Sequence, residues 1–77
     1  SYVDQDRFLG IRRGDESALE RLVRERFPAL LAEARSHLGP EADAAPRVVE
    51  HALLRAWKAR ERFDEAGAFD AFLHETL

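Results

Sequence analysis

Histidine and hydroxyl side chains are the groups in this 77-residue chain whose chemistry could supply a base or a nucleophile. The three histidines, His37, His51 and His74, are far apart and form no HExxH-type spacing for zinc. Ser36 and His37 are adjacent on a predicted helix, so their side chains point in different directions and the hydroxyl has no positioned base. We therefore expect no catalytic residue, no metal site and no cofactor, and we do not expect an enzyme.

The composition is typical of a soluble helical domain, with 35% charged and 45% hydrophobic residues. The absence of cysteine excludes disulfides and thiolate zinc sites, and it is consistent with a cytoplasmic location. The net charge is −3, and residues 40–77 carry the acidic excess, with five Lys/Arg against eight Asp/Glu. Because an independent nucleic-acid binder is expected to show a basic patch, this balance argues against strong nucleic-acid binding by the chain alone.

Helical periodicity runs through the chain, and no stretch shows the alternation of apolar and polar residues that is typical of a strand. The pattern predicts a first helix over about residues 4–13 that ends at Gly14. Asp15 is expected to cap a second helix, which ends at Gly39 and Pro40. Since a proline inside a helix removes one backbone hydrogen bond, we predict a kink at Pro28 within one helix, and not two separate helices.

The third helix is the most strongly patterned element, opening near Asp43 and accepting Pro46 in its first turn. Residues 62–68 are expected to form a loop, and a fourth helix is expected to begin near Phe69 and to be cut off at Leu77. Together these elements predict an all-α compact bundle of three to four helices. The core stripe of the third helix is predicted to consist of Val49, Ala52, Leu53, Ala56, Trp57 and Phe63.

The opposite face of the third helix displays Leu54 as a single apolar residue among charged ones. The charged residues of this face are Arg47, Glu50, Arg55 and Lys58. Two interpretations are open: a solvated face, since scattered surface leucines are common, or a partner surface centred on Leu54.

Two aromatic residues, Phe63 and Phe69, bracket the predicted loop and could stack on an unpaired base. Residues 63–77 contain four acidic residues and no lysine or arginine, so phosphate repulsion would oppose such contact. Packing of both rings in the core is the favoured alternative.

Several segments occur in a fixed order between Phe8 and Leu77. Residues 13–22 read RGDESALERL, residues 48–57 read VVEHALLRAW, and RFD at residues 62–64 precedes FDAFL at residues 69–73. The combination resembles the second conserved region of bacterial sigma factors of the extracytoplasmic-function group, whose third helix ends in a similar Phe-Leu-Arg-Leu-Trp motif. The resemblance implies that residues 1–77 form a single sigma region 2-like helical domain with a truncated fourth helix.

The resemblance also implies a role in bacterial transcription initiation, without enzymatic activity, a small-molecule substrate or a membrane. In this family, the third helix docks on the coiled-coil clamp of the largest RNA polymerase subunit, and the following loop and fourth helix read the minus-ten promoter element. Carried over by position, the polymerase-binding or partner-binding residues are Arg47, Glu50, His51, Leu54, Arg55 and Lys58. The promoter-facing loop spans residues 62–69, with Arg62, Phe63 and Phe69 as the candidates for DNA contact.

The start of the third helix departs from the family pattern Ala-Glu-Asp-Leu-Val-Gln-Glu. Arg47 stands in place of an acid, Glu50 in place of the glutamine and His51 in place of the last glutamate. In this family the clamp is basic, so a cation in place of an acid opposes docking, because like charges across an interface weaken binding. A second hypothesis is therefore a degenerate sigma-like domain that binds an anti-sigma protein or another helical regulator without contacting DNA. Under the first hypothesis, promoter DNA is expected to bind only weakly, or in the context of a full-length factor. An unrelated helical bundle is the third alternative.

Overall fold

The computed structural model describes residues 4–77, so residues 1–3 of the predicted domain lie outside the described part. Within residues 4–77 there is no strand, and the predicted all-α class is confirmed. Short 3-10 segments at Gly39–Ala44 and Arg60–Arg62 precede and follow the third α-helix. The α-helices are α1 (Gln5–Arg12), α2 (Glu16–Leu38), α3 (Ala45–Lys58) and α4 (Ala66–Glu75).

Carboxylates cap the starts of the first two helices, and the cap at Asp15 is the one that the sequence predicts. Asp4 accepts a hydrogen bond from the backbone N–H of Arg7 at 2.9 Å, and Asp15 accepts one from the N–H of Ser17 at 3.0 Å. Gly14 lies between them with a φ of 83°, a conformation that favours glycine. The boundaries of α1 and the start of α2 therefore agree with the sequence pattern to within one residue.

The long helix α2 passes through Pro28 as one element, which confirms the prediction of a single helix there. It ends at Leu38, and Gly39 follows with a φ of 55°. The 3-10 segment Gly39–Ala44 then leads into α3, which begins two residues after the predicted start and has its proline in the first turn. None of the described helices is long and apolar enough to cross a membrane.

The core lies between the inward faces of all four helices. On α3, Val49, Ala52, Leu53 and Ala56 are buried, as the periodicity predicts. Their buried partners on the other helices include Phe8, Ile11, Leu22, Leu30, Ala34, Phe69 and Leu73. Aromatic rings continue this core toward the loop after α3, with ring centroids 5.5 Å apart for Phe8 and Phe69 and 6.1 Å apart for Phe63 and Phe69.

The structure corrects the prediction that Trp57 is buried in the core. Trp57 is only partly buried, because it lies in the last turn of α3 at the edge of the bundle. The guanidinium of Arg60 covers its ring at 4.4 Å from the centroid. Arg60 also donates a hydrogen bond to the Trp57 carbonyl at 3.0 Å, which holds its side chain over the indole.

The structure also corrects the boundary between α3 and α4. The fourth helix begins at Ala66, three residues before the predicted start, and Phe63 lies after α3 and not on it. The backbone N–H of Ala66 donates to the side-chain oxygen of Gln5 at 3.0 Å, a partner 61 residues away. Gly67 lies within the helix on its exposed side, so it does not interrupt the helix as its residue type suggests. The prediction of a single domain with a truncated fourth helix stays a prediction.

Candidate functional site

The outward side of α3 carries every side chain that the sequence assigns to polymerase or partner binding. All six are exposed, and Leu54 is 47% exposed, an unusual value for a large apolar side chain in this fold. Helical spacing of three and four residues places them on one side because the opposite stripe of α3 is buried. We call this set the α3 face; it consists of Arg47, Glu50, His51, Leu54, Arg55 and Lys58.

A shallow depression lies at the N-terminal half of the α3 face, with a volume of about 450 Å³. Its lining residues are Arg47, Val48, Glu50, His51 and Leu54. Val48 is partly buried and adds apolar surface beside Leu54, a contribution that the sequence analysis missed. The sequence does contain a signal for this contribution: Val48 and His51 have i, i+3 spacing, which places Val48 next to the α3 face on the helix surface. The depression is suited to an apolar side chain of a partner helix, with charges at its rim.

Positive charge predominates on the α3 face, with three cationic side chains against the single carboxylate of Glu50. Within residues 4–77, none of these side chains forms an ion pair with another described residue. Arg55 and Lys58 lie in the last turn of α3, where cations interact favourably with the helix dipole. Arg47 lies in the first turn of α3, where a cation gains nothing from the helix dipole.

The loop before α4 places two of the three DNA-contact candidates at the surface. Arg62 is exposed, and Phe63 is partly buried with its ring centroid 5.2 Å from that of Phe72. Phe69 is 0% exposed, because α4 begins early enough to place this residue on the inward face of the helix. The structure therefore contradicts an accessible Phe69 ring: stacking on a base would require α4 to leave the bundle. The assignments of Arg62 and Phe63 stay predictions.

The end of α1 brings an additional cation to this loop. Arg12 lies with a guanidinium nitrogen 3.7 Å from a carboxylate oxygen of Asp64 and 3.5 Å from the carbonyl oxygen of Glu61. The charges of residues 63–77 alone do not reveal this contribution, because it comes from another helix. The loop is thus less acidic in three dimensions than its own sequence suggests.

A buried polar network joins α2 to α4. Arg26, 9% exposed, donates to the carboxylate of Asp70, 2% exposed, across 2.5 Å. The other terminal nitrogen of Arg26 lies 2.6 Å from Nε2 of His74, whose Nδ1 lies 2.8 Å from a carboxylate oxygen of Glu33. The hydrogen-bonded pairs of this network are 41 to 48 residues apart along the chain, so no local spacing predicts them.

The residues of the candidate site offer no metal centre. Among residues 4–77, no group of three or more His, Cys, Asp or Glu side chains has the arrangement needed to hold a metal ion. His51 is the single histidine of the α3 face, and the ring nitrogens of His74 contact Arg26 and Glu33.

Comparison with known proteins matches most of the chain to one family. The family model described as Sigma-70 region 2 matches residues 22–77, which include most of α2 and the whole of α3 and α4. No curated protein and no solved structure matches the chain. The α3 face and the loop before α4 both lie inside the matched range.

Proposed function

This chain belongs to the Sigma-70 region 2 family, and on that premise we propose that it is a transcription-initiation module that docks on the RNA polymerase core clamp through the α3 face. The family is one of initiation factors and not of enzymes. The observation that carries the proposal is Leu54, 47% exposed beside an apolar depression on the helix that the family uses for core binding. We further place the chain in the extracytoplasmic-function group, acting in the bacterial cytoplasm.

The geometry of the α3 face suits helix-on-helix recognition. A central apolar anchor that becomes fully desolvated provides most of the binding energy in many interfaces, whereas charged residues at the rim mainly govern specificity and association rate. Leu54 and Val48 supply the anchor, and Arg47 and Glu50 stand at the rim of the depression. A coiled-coil partner would present the complementary ridge of side chains to this depression.

Promoter contact forms the second part of the proposal. Arg62 and Phe63, together with Arg12 from α1, are the groups at the loop that suit phosphate and base contact. Asp64 and Glu65 are exposed beside them and oppose phosphates. We therefore propose that this domain helps to recognise or open the minus-ten element only weakly by itself, with stronger binding in a full-length factor.

The charge of the α3 face favours a second candidate function. Arg47 replaces an acid of the family pattern, and this face carries three cations against one carboxylate. A partner with acidic residues around an apolar ridge would complement it better than a basic clamp. In this alternative, the domain binds an anti-sigma protein or another helical regulator and does not contact DNA.

A binding experiment with one disruptive variant and one matched control tests the use of the α3 face. Leu54→Asp should abolish most binding to polymerase core or to an anti-sigma domain, because a carboxylate buried at the contact has no partner charge. Leu9→Asp is the control, since Leu9 is a leucine of similar exposure, 41%, on a different helix, α1. Unchanged binding by Leu54→Asp, with circular dichroism confirming the fold, would show that the α3 face is not the interaction surface.

A paired charge variant separates the two candidate partners. Arg47→Asp combined with Glu50→Gln restores the family residues at both positions, so it should strengthen binding to polymerase core if the domain is a divergent initiation module. The same variant should weaken binding to a dedicated regulator with acidic residues at its rim. Calorimetric titration against both partners at low and physiological salt measures the two effects in parallel.

A further inference from the structure

The network between α2 and α4 specifies the proton positions of His74. The guanidinium of Arg26 has only donors, so Nε2 of His74, 2.6 Å away, must act as an acceptor. The carboxylate of Glu33 has only acceptors when ionised, so Nδ1 of His74, 2.8 Å away, must carry the hydrogen. A neutral imidazole with its hydrogen on Nδ1 is the one state that satisfies both contacts.

We infer that Arg26 is a positioning residue for α4, acting through Asp70 and through the neutral Nδ1–H tautomer of His74. Arg26 and Glu33 lie seven residues apart on α2, and Asp70 and His74 lie one turn apart on α4. The hydrogen bonds therefore join the two helices along about two turns of α2. A shift of α4 by one residue along its axis, about 1.5 Å, would break at least one of them.

Directional bonds are needed here because the apolar contacts of α4 are few. The helix has ten residues, and the side chains it buries are Ala66, Phe69, Asp70 and Leu73. Apolar burial is not directional, so these contacts alone permit small rotations and slides of α4. The Arg26–Asp70 pair balances its own charge in the interior, and His74 extends the pair to the half-exposed Glu33.

The remaining charged group near His74 is Asp70, which lies beyond hydrogen-bond distance of Nε2, whereas the Arg26 guanidinium lies within it. From α2, His74 faces Arg26 and Glu33, and from its own helix Asp70, whose second carboxylate oxygen lies 3.6 Å from Nε2. Within residues 4–77, α1 and α3 place no titratable side chain within ion-pair distance of His74. By positioning α4, the network also positions the loop that precedes it. Any effect of this on promoter contact rests on the proposed function.

Nitrogen NMR of the histidine side chains in the full chain at neutral pH tests the inference directly. The expected result is a protonated Nδ1 and an unprotonated Nε2 at His74, with exposed His51 as the control that exchanges between tautomers. A hydrogen on Nε2 of His74, or a tautomer average like that of His51, would overturn the inference. The measurement involves neither polymerase nor DNA, so its failure leaves the proposed function standing.

Variants of the ion pair supply the second test. Asp70→Asn leaves the charge of Arg26 unpaired and can unfold so small a domain, so Arg26→Met with Asp70→Leu is the informative variant. This double variant should remain folded, yet lose the single His74 tautomer and increase amide hydrogen exchange in α4 by about tenfold or more. His37→Ala is the control, since His37 approaches Glu33 at 3.9 Å without contacting Arg26. Unchanged α4 exchange and an unchanged His74 tautomer in the double variant would contradict the positioning role.

Discussion

Helices α3 and α4 pack against the same core, but different kinds of contact position them. Five buried apolar side chains at helical spacing hold α3, and its outward face is left to solvent or a partner. The shorter α4 combines apolar burial with polar contacts to Gln5 at its first turn and to Arg26 and Glu33 farther along. The difference shows that a helix with a full apolar stripe can be located from its own residues, whereas a short one depends on distant partners.

The largest expected effect comes from the residue at which α4 meets the aromatic core. Phe69→Ala should destabilise the domain by about 3–5 kcal/mol, because the ring is fully buried between Phe8 and Phe63. Such a loss approaches the whole stability of a domain this small, so the variant should be largely unfolded at room temperature. Thermal melting by circular dichroism checks this, with partly buried Phe72→Ala as the control that loses less. A melting temperature equal to that of the parent would refute the packing described for α4.

A smaller effect is expected at the C-terminal end of α3. Because Trp57 is partly exposed and covered by Arg60, Trp57→Ala should cost about 2 kcal/mol, less than for a fully buried ring. The domain should remain folded with a lower urea midpoint. Trp57→Phe keeps an aromatic surface beneath the guanidinium and should recover part of the loss. Complete unfolding of Trp57→Ala would contradict the partly buried position and support the core position that the sequence predicts.

The remote cap of α4 should contribute less again. Gln5→Ala removes the acceptor of the Ala66 N–H and should cost about 1 kcal/mol, concentrated in the first turn of α4. Gln5→Glu keeps an acceptor oxygen and places a negative charge at the helix N-terminus, so it should preserve stability. Hydrogen exchange of the Ala66 amide distinguishes the two variants, and equal protection in both would show that the cap is unimportant.

The smallest effect on stability is expected from the Asp15 cap of α2, and this effect should depend on pH. The hydrogen bond from the Ser17 hydroxyl, followed by that from the Ser17 backbone, lowers the pKa of Asp15 below its usual value. A lowered folded-state pKa means that the carboxylate stabilises the fold above the unfolded pKa of about 3.9, and that this contribution is lost as the pH falls through the folded value.

Asp15→Ala should therefore lower the melting temperature at neutral pH, and the difference from the parent should shrink in acid. Asp15→Asn keeps a capping side chain without a titrating group and is the matched control. A difference between Asp15→Ala and the parent that stays constant from neutral to strongly acidic pH would contradict the role of the ionised carboxylate.

The same contrast explains which parts of the structure could be predicted from the sequence. The bounds of α1 and α2 and the start of α3 are marked locally, by Gly14, Asp15 and Gly39 and by the stripe of α3, so these bounds were predicted within about two residues. The end of α3 was predicted too late, because Phe63 continues the apolar pattern beyond Lys58. The start of α4 was wrong because Gly67 suggested a break and the acceptor for the Ala66 N–H lies 61 residues earlier.

In the candidate site, too, some features follow from local sequence and others only from the tertiary fold. The exposure of the α3 face was predictable, because a buried stripe on one side of a helix places the intervening residues on the other. Phe69 was assigned correctly only under the core-packing alternative, since its burial depends on where α4 begins. The approach of Arg12 to the loop and the Arg26 network required the tertiary fold, because no local spacing relates residues so far apart along the chain.

The indole beneath Arg60 gives this protein a built-in optical reporter. Trp57 is the single tryptophan of the chain, and its neighbours are Lys58 of the α3 face on one side and the Arg60–Arg62 turn leading to the loop on the other. A ligand at either surface that shifts the guanidinium would alter the polarity around the ring and hence its fluorescence emission. Titrations with a candidate partner or with single-stranded DNA can therefore be followed on the unlabelled protein. The Leu54→Asp variant keeps this fluorophore, so its signal can be compared directly with that of the parent.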